Sequence, residues 1–299
     1  MILWKMFGSV IVEETRFSAK DASQLLAAHD VKPSKKMGQN IVIDANIPEK
    51  LVSLSGIDKS CGVLEIGAGL GALTLHLSKA AEHVTAVELD SRLIPILREA
   101  LGDCSNVDLL QGDILKLDIG KLAAETMRGT NRHVCANLPY SITTPAITRL
   151  IDADVFGSVT VMVQKEVAMR ICAKPGSPDY GAFSVYINYH TEPEILFDVP
   201  PECFMPRPKV TSSVVRMLIR KERLLGREDA NVFFRVVRAA FGQRRKTLVN
   251  AVFAVFGSTY SKESITEIVE SCGFDARVRG EALGVGEFIR LSSFFRGNS

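Results

Sequence analysis

The chain contains few of the residues on which exported and metal-binding proteins depend. Its 299 residues include six scattered cysteines without a Cys-x-x-Cys pair, and five histidines that show no ligand spacing. We therefore expect reduced thiols, with neither a disulfide framework nor a metal site. No apolar run reaches the ~18 residues of a membrane-spanning helix, and the N-terminal segment lacks the apolar core of a signal peptide. These absences predict a cytoplasmic protein without a membrane segment.

Charge of one sign is scarce as well. The 36 Lys and Arg residues nearly balance the 34 Asp and Glu residues, so the formal net charge is only +2. Global charge therefore does not indicate a nucleic-acid partner, and any basic surface must be local. The chain is long enough for one large domain with a small one beside it.

Strand and helix patterns alternate from residue 61 onward. Strand patterns occupy 61–67, 83–89, 107–113, 133–137 and 158–165, and helical patterns occupy 71–80, 91–101 and 166–173. This alternation predicts an α/β fold, with a parallel sheet covered by helices on both faces. From about residue 226 the pattern is helical throughout, which predicts a small all-helical C-terminal domain and a boundary within 221–226.

These patterns divide the chain into three segments. Residues 1–34 form an N-terminal extension that is partly helical, with Ser18 at the start of a short helix. Residues 35–222 contain the predicted sheet and end in the proline-rich stretch 199–220, which holds a strand-like run. Residues 223–299 form the helical domain.

A glycine-rich turn, EIGAGLG at 65–71, follows the first of these strands and opens a helix. Gly67, Gly69 and Ala72 satisfy the dinucleotide-binding spacing, and glycines let the backbone approach a ligand closely. Glu88 ends the next strand, where an acid accepts hydrogen bonds from ribose hydroxyls. Both features suit a nicotinamide cofactor or S-adenosylmethionine, and a plain tight turn with a solvated glutamate is the structural alternative.

Two further strand ends carry polar residues on the same edge of the sheet. Asp113, in QGD, is placed to accept from an adenine amino group, although such an aspartate is often a turn residue. The stretch ANLPY then stops a strand with an amide, a proline and an aromatic ring. An adenine amine is a poor nucleophile because its lone pair is delocalised. Asn137 and a carbonyl beside Pro139 would accept its hydrogens, and Tyr140 would offer a flat face to a base.

Together, KKMGQN (35–40), EIGAGLG, VELD (87–90), GDIL (112–115) and ANLPY (136–140) resemble the ribosomal RNA adenine N6-dimethyltransferases. The resemblance covers about 35–250. Its later segments, which begin at Val163, Val199 and Ala240, are similar to those of the bacterial small-subunit, kasugamycin-sensitivity type. They are less similar to the macrolide-resistance methylases, which share the NLPY-like core but as a rule lack QRRKTL.

The resemblance implies a Rossmann-like S-adenosylmethionine-dependent methyltransferase domain over 35–222 and an RNA-contacting helical domain over 223–299. It implies N6,N6-dimethylation of two adjacent adenosines in the hairpin loop near the 3′ end of small-subunit (16S) rRNA. S-adenosylmethionine is then the methyl donor, with no metal. The expected partner is small-subunit rRNA within a ribosomal particle, and we expect the chain to be a monomer.

Family positions carried over to this sequence give candidate site residues. The cofactor set comprises Asn40, Val42, Gly67, Gly69, Glu88, Asp113 and Asn137. The resemblance implies that Gly67 contacts the methionine part, Glu88 the ribose and Asp113 the adenine. The catalytic set comprises Asn137, Leu138, Pro139, Tyr140 and Phe204. Phe204 is a second ring against the target base or, with equal weight, a core residue. Ile41 and Val42 stand where many members have Phe-Leu, which alters the packing over the cofactor.

A basic stretch in the helical domain is the candidate RNA contact. Apolar residues recur at helical spacing from Val232 to Phe241, and the basic residues lie off that face or follow it. They are Arg235, Arg238, Arg244, Arg245 and Lys246. A solvated helix face is the usual interpretation of such a run, and the resemblance favours contact with the RNA backbone.

Three other functions remain open from the sequence. One is a large-subunit rRNA adenine methylase of the macrolide-resistance type. Another is a non-catalytic nucleic-acid-binding relative, against which the intact NLPY and Glu88 argue. The third is a nicotinamide dehydrogenase, which has no use for NLPY beside its cofactor.

Overall fold

The computed structural model describes residues 19–31, 39–102, 104–243 and 245–295. The predicted cap Ser18, most of the KKMGQN loop and Arg244 lie outside these residues. No helix among the described residues is long and apolar enough to cross a membrane.

The described residues form nine strands and twelve α-helices. The strands are β1 (Ile41–Val42), β2 (Cys61–Ile66), β3 (His83–Glu88), β4 (Val107–Gln111), β5 (Asn131–Asn137), β6 (Ser158–Gln164), β7 (Thr191–Val199), β8 (Phe204–Met205) and β9 (Ser212–Ile219). The helices are α1 (Ala19–Ala28), α2 (Asn46–Ser55), α3 (Ala72–Ala80), α4 (Ile94–Leu101), α5 (Ile119–Thr126), α6 (Thr143–Asp152), α7 (Lys165–Cys172), α8 (Ala182–His190), α9 (Arg227–Gly242), α10 (Leu248–Phe256), α11 (Lys262–Ser271) and α12 (Val285–Ser292).

Seven strands make one sheet in the order β4-β3-β2-β5-β6-β9-β7. The five strands from β4 to β6 are parallel, and β9 runs antiparallel to β6. After β2 the chain builds outward through β3 and β4, and it then returns to place β5 on the other side of β2. The order therefore reverses between β2 and β5, and ligands of open α/β sheets bind at the carboxyl ends of the strands beside such a reversal.

The central strands are buried along their whole length. Every residue of β2 and β3 is buried, as expected for parallel strands with helices on both faces. The apolar core of this region also takes in Ala22 and Leu26 of α1. The sheet is thus a rigid platform whose strand ends hold side chains in fixed places.

The predicted strands and helices of the α/β region are all present, with ends that differ by a few residues. The predicted α/β fold is therefore confirmed. The elements that the sequence analysis missed include β1, α2, α5, α8, β7 and β8. Strand β7 contains Pro193 and three acidic residues, and its burial does not alternate, so it carries no strand pattern. Its place at the edge of the sheet tolerates that composition.

The described residues divide into two compact units. The first, which we call the sheet unit, contains the residues up to Ala168 together with Glu194–Ile219. The second, the helical unit, contains Met169–Pro193 and the residues from Arg220 onward. The predicted boundary within 221–226 lies close to Arg220, but residues 169–193, predicted to be part of the sheet domain, group with the C-terminal helices.

An aromatic cluster explains this grouping. The Tyr189 ring lies 4.7 Å from that of Phe233 in α9, measured between centroids. The Tyr180 hydroxyl donates to the Leu283 carbonyl at 2.8 Å. Because aromatic side chains bury large apolar areas, α8 packs with the helices that cover its rings, although it precedes β7 in the chain.

The helical unit has the core face that the sequence predicts. In α9, Phe233, Val236, Val237 and Ala240 are buried, at the spacing of one helix face. Arg235 and Arg238 are exposed on the other side. The amphipathic pattern of this stretch therefore has a structural cause, whatever its charges bind.

Candidate cofactor and catalytic site

The glycine turn after β2 adopts conformations that other residues rarely take. Gly67, Gly69 and Gly71 have φ of 75°, 60° and 85°, in the left-handed region that glycine enters without steric cost. The Gly67 N–H donates to the Val87 carbonyl at 2.8 Å, which ties the turn to β3. Gly71 caps the start of α3. The turn therefore brings the backbone and the N-terminus of α3 to the sheet edge.

Glu88 and the glycine turn form one structure. Glu88 ends β3 and is only 5% exposed. Its Oε2 accepts from the Gly69 N–H and its Oε1 accepts from the Asp90 N–H, both at 2.9 Å. Burial raises the pKa of this carboxyl, and the two backbone donors act in the opposite direction. A carboxylate has about four acceptor positions, so both oxygens can accept further hydrogen bonds.

Asp113 follows β4 by two residues and closes a turn. Its Oδ1 accepts from the Leu115 N–H at 3.0 Å, and Lys116 Nζ lies 3.7 Å from Oδ2. The side chain is 28% exposed. Asp113 is therefore a turn residue, as the structural alternative held, and it also lines the cavity described below.

Asn137 ends β5, and its amide has a fixed orientation. Its Nδ2 donates to the Asn40 carbonyl at 2.9 Å. Because the nitrogen is used in this way, Oδ1 is the side of the amide that remains for an outside donor. The next residue, Leu138, is buried, and its N–H donates to the Met162 carbonyl at 3.2 Å. The start of the NLPY segment is thus held on both sides.

Pro139 and Tyr140 lead into a short 3-10 helix, Tyr140–Ile142. The Pro139 carbonyl accepts from the Ile142 N–H at 3.1 Å, which tightens this turn. The Tyr140 hydroxyl lies 2.6 Å from Ser212 Oγ. Pro139 lines the cavity, whereas Tyr140 does not.

Strands β1 and β8 form a two-stranded ladder next to the site. Val42 lies opposite Phe204 in this ladder, and Val42 lines the cavity. Phe204 is 3% exposed, belongs to the apolar core and does not line the cavity. The structure therefore favours its interpretation as a core residue. Ile41 is buried beside it, so the chain packs this place without the more usual Phe-Leu.

A cavity of about 420 Å³ lies at the carboxyl ends of β2, β3, β4 and β5. That volume is in the range of small-molecule sites. The cavity brings together the seven residues of the predicted cofactor set, Asn40, Val42, Gly67, Gly69, Glu88, Asp113 and Asn137. Of the predicted catalytic set, Asn137, Leu138 and Pro139 line it, and Tyr140 and Phe204 do not.

One cavity residue that the sequence analysis missed is Glu65. It is 1% exposed in the middle of the apolar strand β2, and its Oε2 has no hydrogen-bond partner among the described residues. Burial, with a smaller contribution from the charge of Glu88, raises its pKa to about 8. The signal was an acid inside an otherwise apolar strand, VLEI, because such a residue has to be paired, protonated or used.

We predict that Glu65 makes the stability of the protein depend on pH. The folded protein keeps a proton on Glu65 that the unfolded chain loses above about pH 4.5. The free energy of unfolding therefore decreases as the pH rises from about 4.5 to about 8, by up to about 1.4 kcal/mol per pH unit. Glu65→Gln removes this contribution. Urea unfolding between about pH 5 and 8 measures it.

Parallel curves of unfolding free energy against pH for the wild type and Glu65→Gln would contradict the prediction. Glu267→Gln, at an exposed site, is the control.

The predicted RNA-contact residues lie in the helical unit. Arg235, Arg238, Arg245 and Lys246 are exposed. The Arg235 guanidinium lies over the Phe256 ring at 4.5 Å, so part of this side chain is committed to packing. Lys246 follows α9 in a turn in which its N–H donates to the Gln243 carbonyl at 2.9 Å.

The cavity fits the chemistry of S-adenosylmethionine. Glu88 offers acceptors for ribose hydroxyls, and the lining is mainly apolar, as a purine ring requires. Oε2 of Glu65 has no hydrogen-bond partner among the described residues, so it is available to a polar group of a ligand. The Asn137 amide, held at the end of β5, has no role in hydride transfer to or from a nicotinamide, so it does not favour a nicotinamide enzyme. The fold and the site together define a Rossmann-like S-adenosylmethionine-dependent methyltransferase.

Comparison with known proteins gives the family. A model of the ribosomal RNA adenine dimethylases matches residues 31–294, and the chain belongs to this family. The chain is 43% identical over 270 residues to the ribosomal RNA small subunit methyltransferase A of Shouchella clausii, covering 90% of this chain and 91% of that one. It is 45% identical over 260 residues to the protein of that name in Lachnoclostridium phytofermentans, covering 86% and 90%.

Solved structures agree in fold. A dimethyladenosine transferase from Plasmodium falciparum superposes with a TM-score of 0.73 at 24% identity, covering 85% of this chain and 97% of that one. The 23S rRNA methyltransferase ErmE superposes with a TM-score of 0.69 at 22% identity, covering 85% and 98%. At these identities the likeness concerns the fold alone.

The predicted small-subunit rRNA adenine dimethyltransferase family is therefore confirmed, as is the prediction of an rRNA-methylating enzyme. S-adenosylmethionine is the methyl donor of such enzymes. The close relatives carry the small-subunit name, so they do not support the large-subunit alternative. The roles of individual residues are a separate matter and stay predictions.

Proposed function

We propose that the chain transfers methyl groups to N6 of two adjacent adenosines in the 3′-terminal hairpin loop of small-subunit rRNA, as a monomer acting on a ribosomal particle. The observation that carries this proposal is the fixed amide of Asn137. Its nitrogen is engaged by the Asn40 carbonyl, and Asn137 lines the cavity, so its oxygen is the acceptor that remains for a ligand. That arrangement suits an amine substrate, because an amine brings hydrogens that need acceptors.

We infer that the cofactor is held by the residues that line the cavity. Glu88 accepts from the ribose hydroxyls, and Asp113 accepts from the adenine amino group. The backbone at Gly67 and Gly69 allows the methionine part to approach, and Asn40 and Val42 cover it. When bound, S-adenosylmethionine supplies a methyl group on a positively charged sulfur.

Asn137 prepares the adenine amine for reaction. In free adenine the amine lone pair is delocalised into the ring, so the nitrogen is a weak nucleophile. In our proposal, Oδ1 of Asn137 accepts one N–H of the amine, and the Leu138 carbonyl beside Pro139 accepts the other. With both hydrogens held, the amine nitrogen becomes more pyramidal, so its lone pair is localised on nitrogen and can point toward the methyl group. Positioned polar groups of this kind contribute a large share of enzymatic rate enhancement.

Tyr140 supports the base. A target adenine has to leave its stack before its amine can reach a buried site. An aromatic ring replaces part of the lost stacking, worth about 1–3 kcal/mol per base. Phe204 is not included in this role, because it lies in the core.

Mass spectrometry of small-subunit rRNA tests the function directly. A strain that lacks the gene should lose N6,N6-dimethyladenosine at two adjacent positions near the 3′ end of this RNA and regain it on complementation. Retention of both marks, or loss of a mark from large-subunit RNA instead, would overturn the proposal.

We also propose that Arg245 and Lys246 contact RNA phosphates. Each neutralised phosphate contributes a slope of about −0.7 to −0.9 to the logarithm of the affinity against the logarithm of the salt concentration. Replacing both residues by glutamine should weaken binding at low salt and make the slope shallower by about 1–2 units. Titrations of small-subunit RNA at several salt concentrations measure it.

The control for this prediction is a double replacement of Lys221 and Lys262 by glutamine. These cations are exposed in the same unit, so this variant has the same net charge. An equal change of slope in both variants would show a general charge effect and contradict a contact at Arg245 and Lys246. A lower melting temperature with an unchanged slope would assign the two residues a structural role.

A further inference from the structure

A buried serine contacts Tyr140, one of the two catalytic candidates that do not line the cavity. Ser212 begins β9 and is fully buried, and its Oγ lies 2.6 Å from the Tyr140 hydroxyl. The two residues are 72 positions apart and belong to the same unit. Neither the predicted site nor the cavity lining includes Ser212.

Ser212 stands on a rigid support. It pairs with Gln164 across the antiparallel β6–β9 ladder. The next backbone bond of this ladder region runs from the Lys165 N–H to the Thr211 carbonyl at 2.9 Å. Because the backbone of Ser212 is held in this ladder, its hydroxyl has a fixed position and can hold the Tyr140 hydroxyl in place.

The Tyr140 hydroxyl is suited to be an anchor and not a reacting group. Burial raises its pKa above the ordinary value, while the Ser212 contact acts in the opposite direction and does not offset it. The phenol therefore stays protonated at neutral pH. A protonated phenol and a serine hydroxyl can each donate or accept, so the pair is satisfied in either direction.

We propose that Ser212 is a positioning residue that fixes the Tyr140 ring in the orientation in which it receives the target base. The inference rests on the proposed platform role of Tyr140. A tyrosine without this anchor keeps its ring but gains freedom about two side-chain torsions, and ordering such a side chain again on binding costs about 3- to 10-fold in rate or affinity.

Three variants separate this role from others. Ser212→Ala and Tyr140→Phe each remove one hydroxyl of the pair and keep the ring. Each should lower the single-turnover methylation rate by about 3- to 10-fold, and the double variant should lose no more than either single variant, because both remove the same contact. Affinity for S-adenosylmethionine should stay the same.

Ser213→Ala is the matched control. Ser213 is also fully buried on β9, but its Oγ donates to Asp198 Oδ1 at 2.6 Å, on the other face of the strand. It loses the same atom from the same strand without touching Tyr140. Its methylation rate should stay within about twofold of the wild type. An equal loss of rate in Ser213→Ala and Ser212→Ala would mean that any damage to β9 has this effect, and would overturn the inference.

Base fluorescence gives a readout that a purely structural role would not move. With 2-aminopurine at the target position of small-subunit RNA, stacking on Tyr140 quenches the signal. Ser212→Ala should reduce this quenching at saturating RNA while leaving the melting temperature within a few degrees. Unchanged quenching and rate in Ser212→Ala, alongside a large loss in Tyr140→Ala, would overturn the inference and leave the proposed function intact. No effect of Tyr140→Ala would instead refute the platform role itself.

Discussion

Replacing Asn137 by alanine should lower the single-turnover rate of methyl transfer by at least about 100-fold, the loss expected when one positioned polar group is removed from an active site. The physical reason is that the adenine amine loses the acceptor that directs its lone pair. Binding of S-adenosylmethionine should change far less, because Glu88 and the glycine turn are untouched. Quenched-flow methylation at saturating cofactor measures the rate.

Asn131→Ala is the control for Asn137→Ala. Asn131 begins the same strand, β5, at the opposite end of the sheet, and its Nδ2 donates to Ser60 Oγ at 3.2 Å. The two variants therefore lose the same side chain from the same strand. If Asn137→Ala methylates within a few-fold of the wild type, the proposed role of the amide is wrong.

Replacing Glu88 by alanine should weaken S-adenosylmethionine binding by about 10- to 150-fold, which corresponds to about 1.5–3 kcal/mol for hydrogen bonds to a charged group. The carboxylate that receives the ribose hydroxyls is lost, and the Gly69 N–H loses its acceptor as well. Isothermal calorimetry on the RNA-free protein measures the affinity, and a melting curve shows how far the turn itself is disturbed.

Glu82→Ala is the matched change for Glu88→Ala. Glu82 is exposed and lies just before β3, whereas Glu88 ends that strand at the cavity. Its removal should leave the affinity unchanged. Full affinity in Glu88→Ala would mean that the glycine turn and this acid do not serve the same ligand.

The sequence predicts those parts of the fold that depend on local pattern. The buried strands β2 and β3 are short, mainly apolar runs, and α9 has the period of an amphipathic helix, so these elements are found where expected. Strand β7 forms because it pairs with β9 at the edge of the sheet, and its own composition does not predict a strand. The grouping of α8 with the C-terminal helices likewise depends on rings that are far apart in the sequence.

The site shows the same division. Residues at strand ends, such as Glu88 and Asn137, are predictable because parallel strands bring their carboxyl ends to one edge. The partners that orient these side chains cannot be predicted from the sequence in the same way. The Asn40 carbonyl lies 97 residues from Asn137, and no spacing rule connects the two. For Phe204 the sequence left two interpretations with equal weight, because a motif position alone does not reveal whether a ring faces a ligand or the core, and the structure places the ring in the core.

The discontinuity of the sheet unit has a consequence for the order in which the protein can be built. The last strands of the sheet unit, β8 and β9, come after residues 169–193, which belong to the helical unit. A ribosome therefore has to synthesise most of the chain before the sheet unit is complete. Val42 cannot pair with Phe204, and Tyr140 cannot contact Ser212, until these later residues have been synthesised. A gene fragment that stops at residue 222 would encode every strand, yet it would leave Tyr180 and Tyr189 without the rings and carbonyls that cover them. Neither unit is therefore a segment that can be cut from the gene in one piece.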